Sequence, residues 1–193
     1  MLSAMSARAA TPKAPAFPMR VVVAALIGAA VAVALGAYDR THGGTGKTFP
    51  LFFSGQIQLK AWFATIAALF ALFQVLSALR IYGKIKVPAK TPKWLGDAHR
   101  LSGTLAFLFS LPVAYHCLWS IGDRDLGSTR VVVHAIVGCL FYGAFATKML
   151  IVRDRTSPGW ALPVLGGLAF TGLVLVWVTS AYWFFTNTSG AIF

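Results

Sequence analysis

Five runs of apolar residues, at about 20–38, 58–82, 99–121, 131–152 and 160–185, constrain this chain more than any other feature. Each reaches the roughly 20 predominantly apolar residues that an α-helix needs to cross the hydrocarbon core of a bilayer. Inside hydrocarbon the backbone must satisfy its own hydrogen bonds, so such runs read as helices. The 193 residues are 58% hydrophobic and 11% charged, whereas a soluble domain is near half apolar and about a quarter charged. The connecting segments are too short to fold by themselves. The expectation is an all-α, polytopic membrane protein. A disordered cytoplasmic tail would occupy 1–19, a five-helix transmembrane bundle 20–186, and a short outer tail 187–193.

The first run is longer than a signal-peptide core, which is about 7–15 residues. With a Pro- and Ala-containing tail before it, it reads as an uncleaved helix. The net charge of +12 invites nucleic acid as a partner, but its distribution explains it otherwise. Twelve of the seventeen Lys and Arg residues fall in the N-terminus, the second loop and the fourth loop, against five on the other side. That is the positive-inside pattern, with the N-terminus cytoplasmic and the C-terminus outside. The inner basic residues would attract anionic lipid, so the bilayer is the expected partner and nucleic acid is not.

Short motifs are mostly structural. HGGTGKT, around His42, resembles a phosphate-binding loop, but Thr41 stands where the pattern requires a glycine, and a membrane helix precedes it rather than a strand. Gly28, Ala32 and Gly36 form a small-residue stripe suited to close helix contact. Gln74 is expected to hydrogen-bond across helices, and Lys60 to snorkel to the headgroups or approach an anionic cofactor group. Pro112 is expected to kink the third helix. Cys117 and Cys139 would be offset by about 9 Å along antiparallel helices, beyond disulfide reach.

His116 and His134 carry the functional argument. An ionisable side chain in a spanning helix marks a functional site by default. The loop IGDRDLGSTR makes the third and fourth helices antiparallel neighbours, and both histidines lie roughly 6–8 Å inside the same boundary. Matched imidazoles on facing helices suit two axial bonds to one metal centre, and haem b is the leading cofactor. Gly138, one turn below His134, would leave room for a flat macrocycle, or else serve close helix packing. Arg130 and Lys60 are the candidate cations for its propionates. His99 lies about 25 Å lower along its helix and on another face. It could serve a second centre or quinone and proton exchange, with capping of the helix start preferred; Met149, at its depth, reads as a lipid-facing or core residue. Zinc or copper would need further ligands, and no CxxCH occurs for covalent haem attachment.

The runs AHRLSGTLAFLFSLPVAYHCLWSIG, VVHAIVGCLFYGAFATKMLIVR and PGWALPVLGGLAFTGLVLVWVTSAYWFF resemble a family of small, uncharacterised bacterial integral-membrane proteins, which implies a bacterial plasma-membrane location. More loosely, the His-bearing helices are similar to transmembrane b-type cytochromes of the ferric-reductase and ascorbate-dependent kind. Those typically hold two haems on four histidines; three histidines here imply one, near the outer face. The expected function is therefore membrane electron transfer through one haem between His116 and His134, within a ferric-reductase-like or respiratory system, with redox proteins or quinone as partners. The alternative is a non-redox membrane protein: a small-solute or proton transporter, or a structural subunit of a larger complex.

Overall fold

Three prolines mark helix starts. Pro18, Pro92 and Pro158 each stand just outside a helix and give their carbonyl to one of its first N–H groups, Val21, Leu95 and Ala161 respectively. Proline is tolerated at that edge because the N–H it lacks would have no intrahelical partner. The computed structural model describes residues 18–87, 90–121 and 127–188. Within them every regular element is helical.

Five helices are long and apolar enough to cross a membrane: α1 (Met19–Thr41), α2 (Gln56–Ile81), α3 (Leu95–Ile121), α4 (Thr129–Val152) and α5 (Ala161–Asn187). The protein is a multi-pass helical membrane protein. Their ends differ from the apolar runs by four residues at most, the largest being Leu95 against 99. The helices outrun the apolar stretches because polar residues such as Asp39, Gln56 and Asp97 continue the backbone ladder past the hydrophobic part. The expected tail over 1–19 lies outside the described residues up to 17, as does most of 187–193.

Two helices change winding. α3 passes from α to π geometry at His116–Ile121, and α5 does so at Val178–Tyr182. Pro112, where a kink is expected, stands one turn before the first of these π segments. Pro112 cannot donate to the preceding turn, and a local π adjustment is one way a helix absorbs that loss.

Packing follows small residues. Gly28 and Gly143 bring the backbones of α1 and α4 together: a Cβ on Gly143 would stand 2.5 Å from the Gly28 carbonyl oxygen. The Thr147 hydroxyl crosses the same contact, 3.3 Å from the Ala24 carbonyl. α2 packs on α3 and α5, α4 packs on α1 and α5, and the π end of α3 touches α1. The five helices thus form a ring in the order α3, α2, α5, α4, α1. α3 and α4, expected as antiparallel neighbours, are not among the pairs that pack backbone to backbone. Side chains bridge them instead, with Phe107 stacked on Phe145 at 4.4 Å and the Tyr142 hydroxyl donating to the Ser110 carbonyl at 3.0 Å.

Candidate functional site

The gap between α3 and α4 opens toward the end of the bundle opposite the basic loops. There it forms a cavity with about 640 Å³ of empty space including its mouth, to which all five helices contribute. Leu35, Ala64, Val113, Gly138, Phe141 and Val176 make most of it apolar, while Asp39, Cys117 and His134 bring chemistry to it. A second cavity adjoins the first, shares Val113, Cys117 and His134 with it, and is lined by Lys60, Arg130 and Trp183.

His134 is held in a defined tautomer. The Thr179 hydroxyl donates its one proton to the Leu175 carbonyl at 2.7 Å. Its oxygen is then an acceptor for Nδ1–H of His134, 3.1 Å away. The proton therefore sits on Nδ1, and the Nε2 lone pair faces the cavity, where the Cys117 Sγ is 4.0 Å distant. Histidines that ligate metals almost always donate the other ring N–H in this way. The π segment of α5 supplies a further anchor. Arg130 Nη1 donates to the Thr179 carbonyl at 2.6 Å, and its guanidinium lies 4.0 Å over the Trp183 ring.

The structure brings together four of the six residues picked from the sequence. His134, Gly138, Arg130 and Lys60 line the two joined cavities. At Gly138 an added Cβ would meet only a Val176 methyl at 4.0 Å, so this glycine leaves space rather than permitting close packing.

His116 is not brought to the site, which corrects the facing pair. Its side chain is fully buried and lines neither cavity. Nδ1–H donates to the Pro112 carbonyl at 2.8 Å, and Nε2 accepts the Phe49 N–H at 3.4 Å. The Phe49 ring packs on the imidazole at 4.4 Å. Counting residues does not give direction around the helix, and here the 42–55 loop takes up the His116 ring. That loop also explains the glycine-rich motif. Thr45 and Gly46 donate their N–H groups to the Trp119 and Ser120 carbonyls at 2.9 and 3.1 Å. Those carbonyls lie in the last turn of α3, where helical partners run out. A Cβ on Gly44 would stand 2.6 Å from the Ser120 oxygen, so only glycine lets the strap lie so close.

His99 is also elsewhere, near the basic end, and it does not cap α3, whose start has no side-chain cap. Its Nδ1 donates to Ser77 Oγ at 2.7 Å, because the Ser77 proton goes to the Phe73 carbonyl at 2.6 Å. Gln74 donates to the His99 carbonyl and to Ser102 Oγ. This is the cross-helix role expected of Gln74, and His99 shares it. Among the described residues no group of three or more His, Cys, Asp or Glu could hold a metal ion. No disulfide joins Cys117 to Cys139.

Thr179, Cys117 and Asp39 are site residues the sequence reading passed over as such. A Thr–Ser pair, Thr179-Ser180, within an otherwise apolar helix was the available signal for the first. The model of one protein family, a family of unknown function (DUF6529), matches residues 21–192, a stretch that takes in nearly all of the five helices. No curated protein and no solved structure matches the chain.

Proposed function

The chain belongs to the family of unknown function DUF6529, and for it we propose a membrane electron-transfer protein that binds one haem b in the cavity between α3 and α4, with His134 as an axial ligand. One observation carries the reading. α3 and α4 are held apart by a largely apolar cavity, and a histidine of fixed tautomer presents its Nε2 lone pair into that cavity. Helix bundles build cofactor sites from side chains on facing helices. An apolar macrocycle suits the Ala, Val, Leu and Phe lining, Gly138 leaves its floor open, and Lys60 and Arg130 offer cations to its carboxylates. Haem would supply reversible one-electron chemistry, while the chain supplies ligation, burial and nearby charge. His116 has a structural part: it ties the 42–55 loop to the π end of α3.

The proposal includes the cellular setting: a bacterial plasma membrane, the N-terminus cytoplasmic, the haem near the outer face, and redox proteins or quinone as electron partners. The twelve-to-five division of Lys and Arg supports the orientation. A non-redox protein that holds a small apolar solute is the second reading, favoured by the apolar majority of the lining. Titration of the purified protein with ferric haem b in detergent separates the two. Saturation at one haem per chain, lost in His134→Ala and kept in His116→Ala, is expected. A folded, monodisperse protein that takes up no haem contradicts the reading.

A further inference from the structure

The gap between α3 and α4 has a second wall. Cys117 follows His116 by one residue, and successive residues of a helix point in different directions around its axis. His116 is thereby directed to the loop, and Cys117 to the cavities. Its Sγ lies 4.0 Å from the same His134 Nε2 whose lone pair the Thr179 contact frees. Both residues line both cavities. The sulfur–nitrogen pair is therefore the waist at which the two spaces meet. One extends toward Ala64, Gly138 and Phe141, and the other toward Lys60, Arg130 and Trp183. A flat ligand filling both spaces would pass between Cys117 and His134.

The spacing at that waist is chemically informative. Zinc–imidazole bonds are about 2.0 Å and zinc–thiolate bonds about 2.3 Å, so a linear N–metal–S unit of that size spans about 4.3 Å. The observed 4.0 Å is a direct thiol–imidazole hydrogen-bond contact within a few tenths of an ångström of this span, so a metal would stand where the thiol proton now lies. The π geometry of His116–Ile121, with Cys117 as its second residue, sets the sulfur there; single-turn π segments recur at functional sites.

Resting on the haem reading above, we propose that Cys117 is the second axial ligand, opposite His134, in the position the sequence had offered to His116. The thiol binds as thiolate, so one proton leaves Sγ for solvent as the iron–sulfur bond forms, and no electron is transferred in that step. A thiolate donates electron density to the iron, so this centre would be harder to reduce than its serine variant.

The full chain in detergent, loaded with ferric haem b, tests this by electron paramagnetic resonance and by the optical spectrum of the ferrous carbonyl complex. Wild type is expected to show thiolate ligation, and Cys117→Ser to lose that signature while still binding haem through His134. Cys139→Ser, on the wall of the first cavity but not against His134 Nε2, should keep the thiolate signature. Cys117→Ala and a mass-spectrometric measure of N-ethylmaleimide labelling guard against a variant that fails to fold. Haem should slow labelling of Cys117 at least tenfold. Haem uptake with identical spectra in wild type and Cys117→Ser, or with undiminished labelling of Cys117, overturns the cysteine proposal and leaves the haem reading standing. Absence of haem uptake by folded wild type overturns both.

Discussion

His116 and His134 are the same side chain in the same kind of helix, and their hydrogen bonds give them opposite parts. Both carry the proton on Nδ1, donated to Pro112 in one case and to Thr179 in the other. They differ at Nε2: Phe49 N–H occupies it in His116, and the cavity lies before it in His134. Replacing Thr179 with Val removes the acceptor that orients His134. Loss of such an outer partner typically weakens metal binding 10–100-fold, and haem titration of Thr179→Val should show a loss of that order with the fold intact. A different titration governs the basic end. The Asp154 carboxyl is held down to about 2 by the Thr156 hydroxyl and N–H, with Arg20 and Ser157 adding to them. Its folded value is below the unfolded one of 3.8, so its contribution is full above that value and is lost as pH falls toward about 2. The thermal midpoint of Asp154→Asn should therefore lie below that of wild type by a constant margin above about pH 5. That margin should close between about pH 4 and about pH 2.

At the scale of helices and loops, two glycine contacts carry the architecture. Gly28 and Gly143 allow α1 and α4 to touch backbone to backbone, in a bilayer where packing, not water exclusion, holds helices together. Gly28→Val should cost at least the ~1–3 kcal/mol of an overpacked core, read as a lower thermal midpoint in detergent. Gly44→Val should instead detach the 42–55 strap and expose His116. Proteolysis within the loop should quicken, while haem binding through His134 persists. The sequence made much of this legible. The stripe of Gly28, Ala32 and Gly36 pointed to close contact, and the incomplete phosphate-loop pattern of HGGTGKT argued against nucleotide binding. The two π segments were not legible. A π turn depends on which carbonyls find partners outside the helix, as the Thr179 carbonyl does in Arg130. That is a tertiary property, and apolar periodicity does not encode it. Depth along a helix is reckoned by counting residues, which is how His116 and His134 were read at one level. Which way each side points depends on neighbours far along the chain, such as Phe49, and so the pairing of the two histidines did not survive.

Across the whole molecule, the ring of five helices leaves α3 and α4 apart at one end, and this is what makes a site possible. Helices joined by a short loop ordinarily pack together. Here small residues draw α4 to α1, and α2 lies between α3 and α5, so the gap is left over from packing satisfied elsewhere. The unequal loop charge predicts that the basic end faces the cytoplasm. A reporter active only in the cytoplasm should give signal when fused at Thr156 and none when fused at Lys47; the reverse would invert the topology and put the cavity on the cytoplasmic side. The central claim concerns what the cavity holds, and the most direct measurement is a reduced-minus-oxidised absorption spectrum of the purified protein made with haem available. The account predicts Soret and α-band changes at one haem per chain, present in His116→Ala and absent in His134→Ala. A folded protein without those bands, or bands unchanged by His134→Ala, would contradict it.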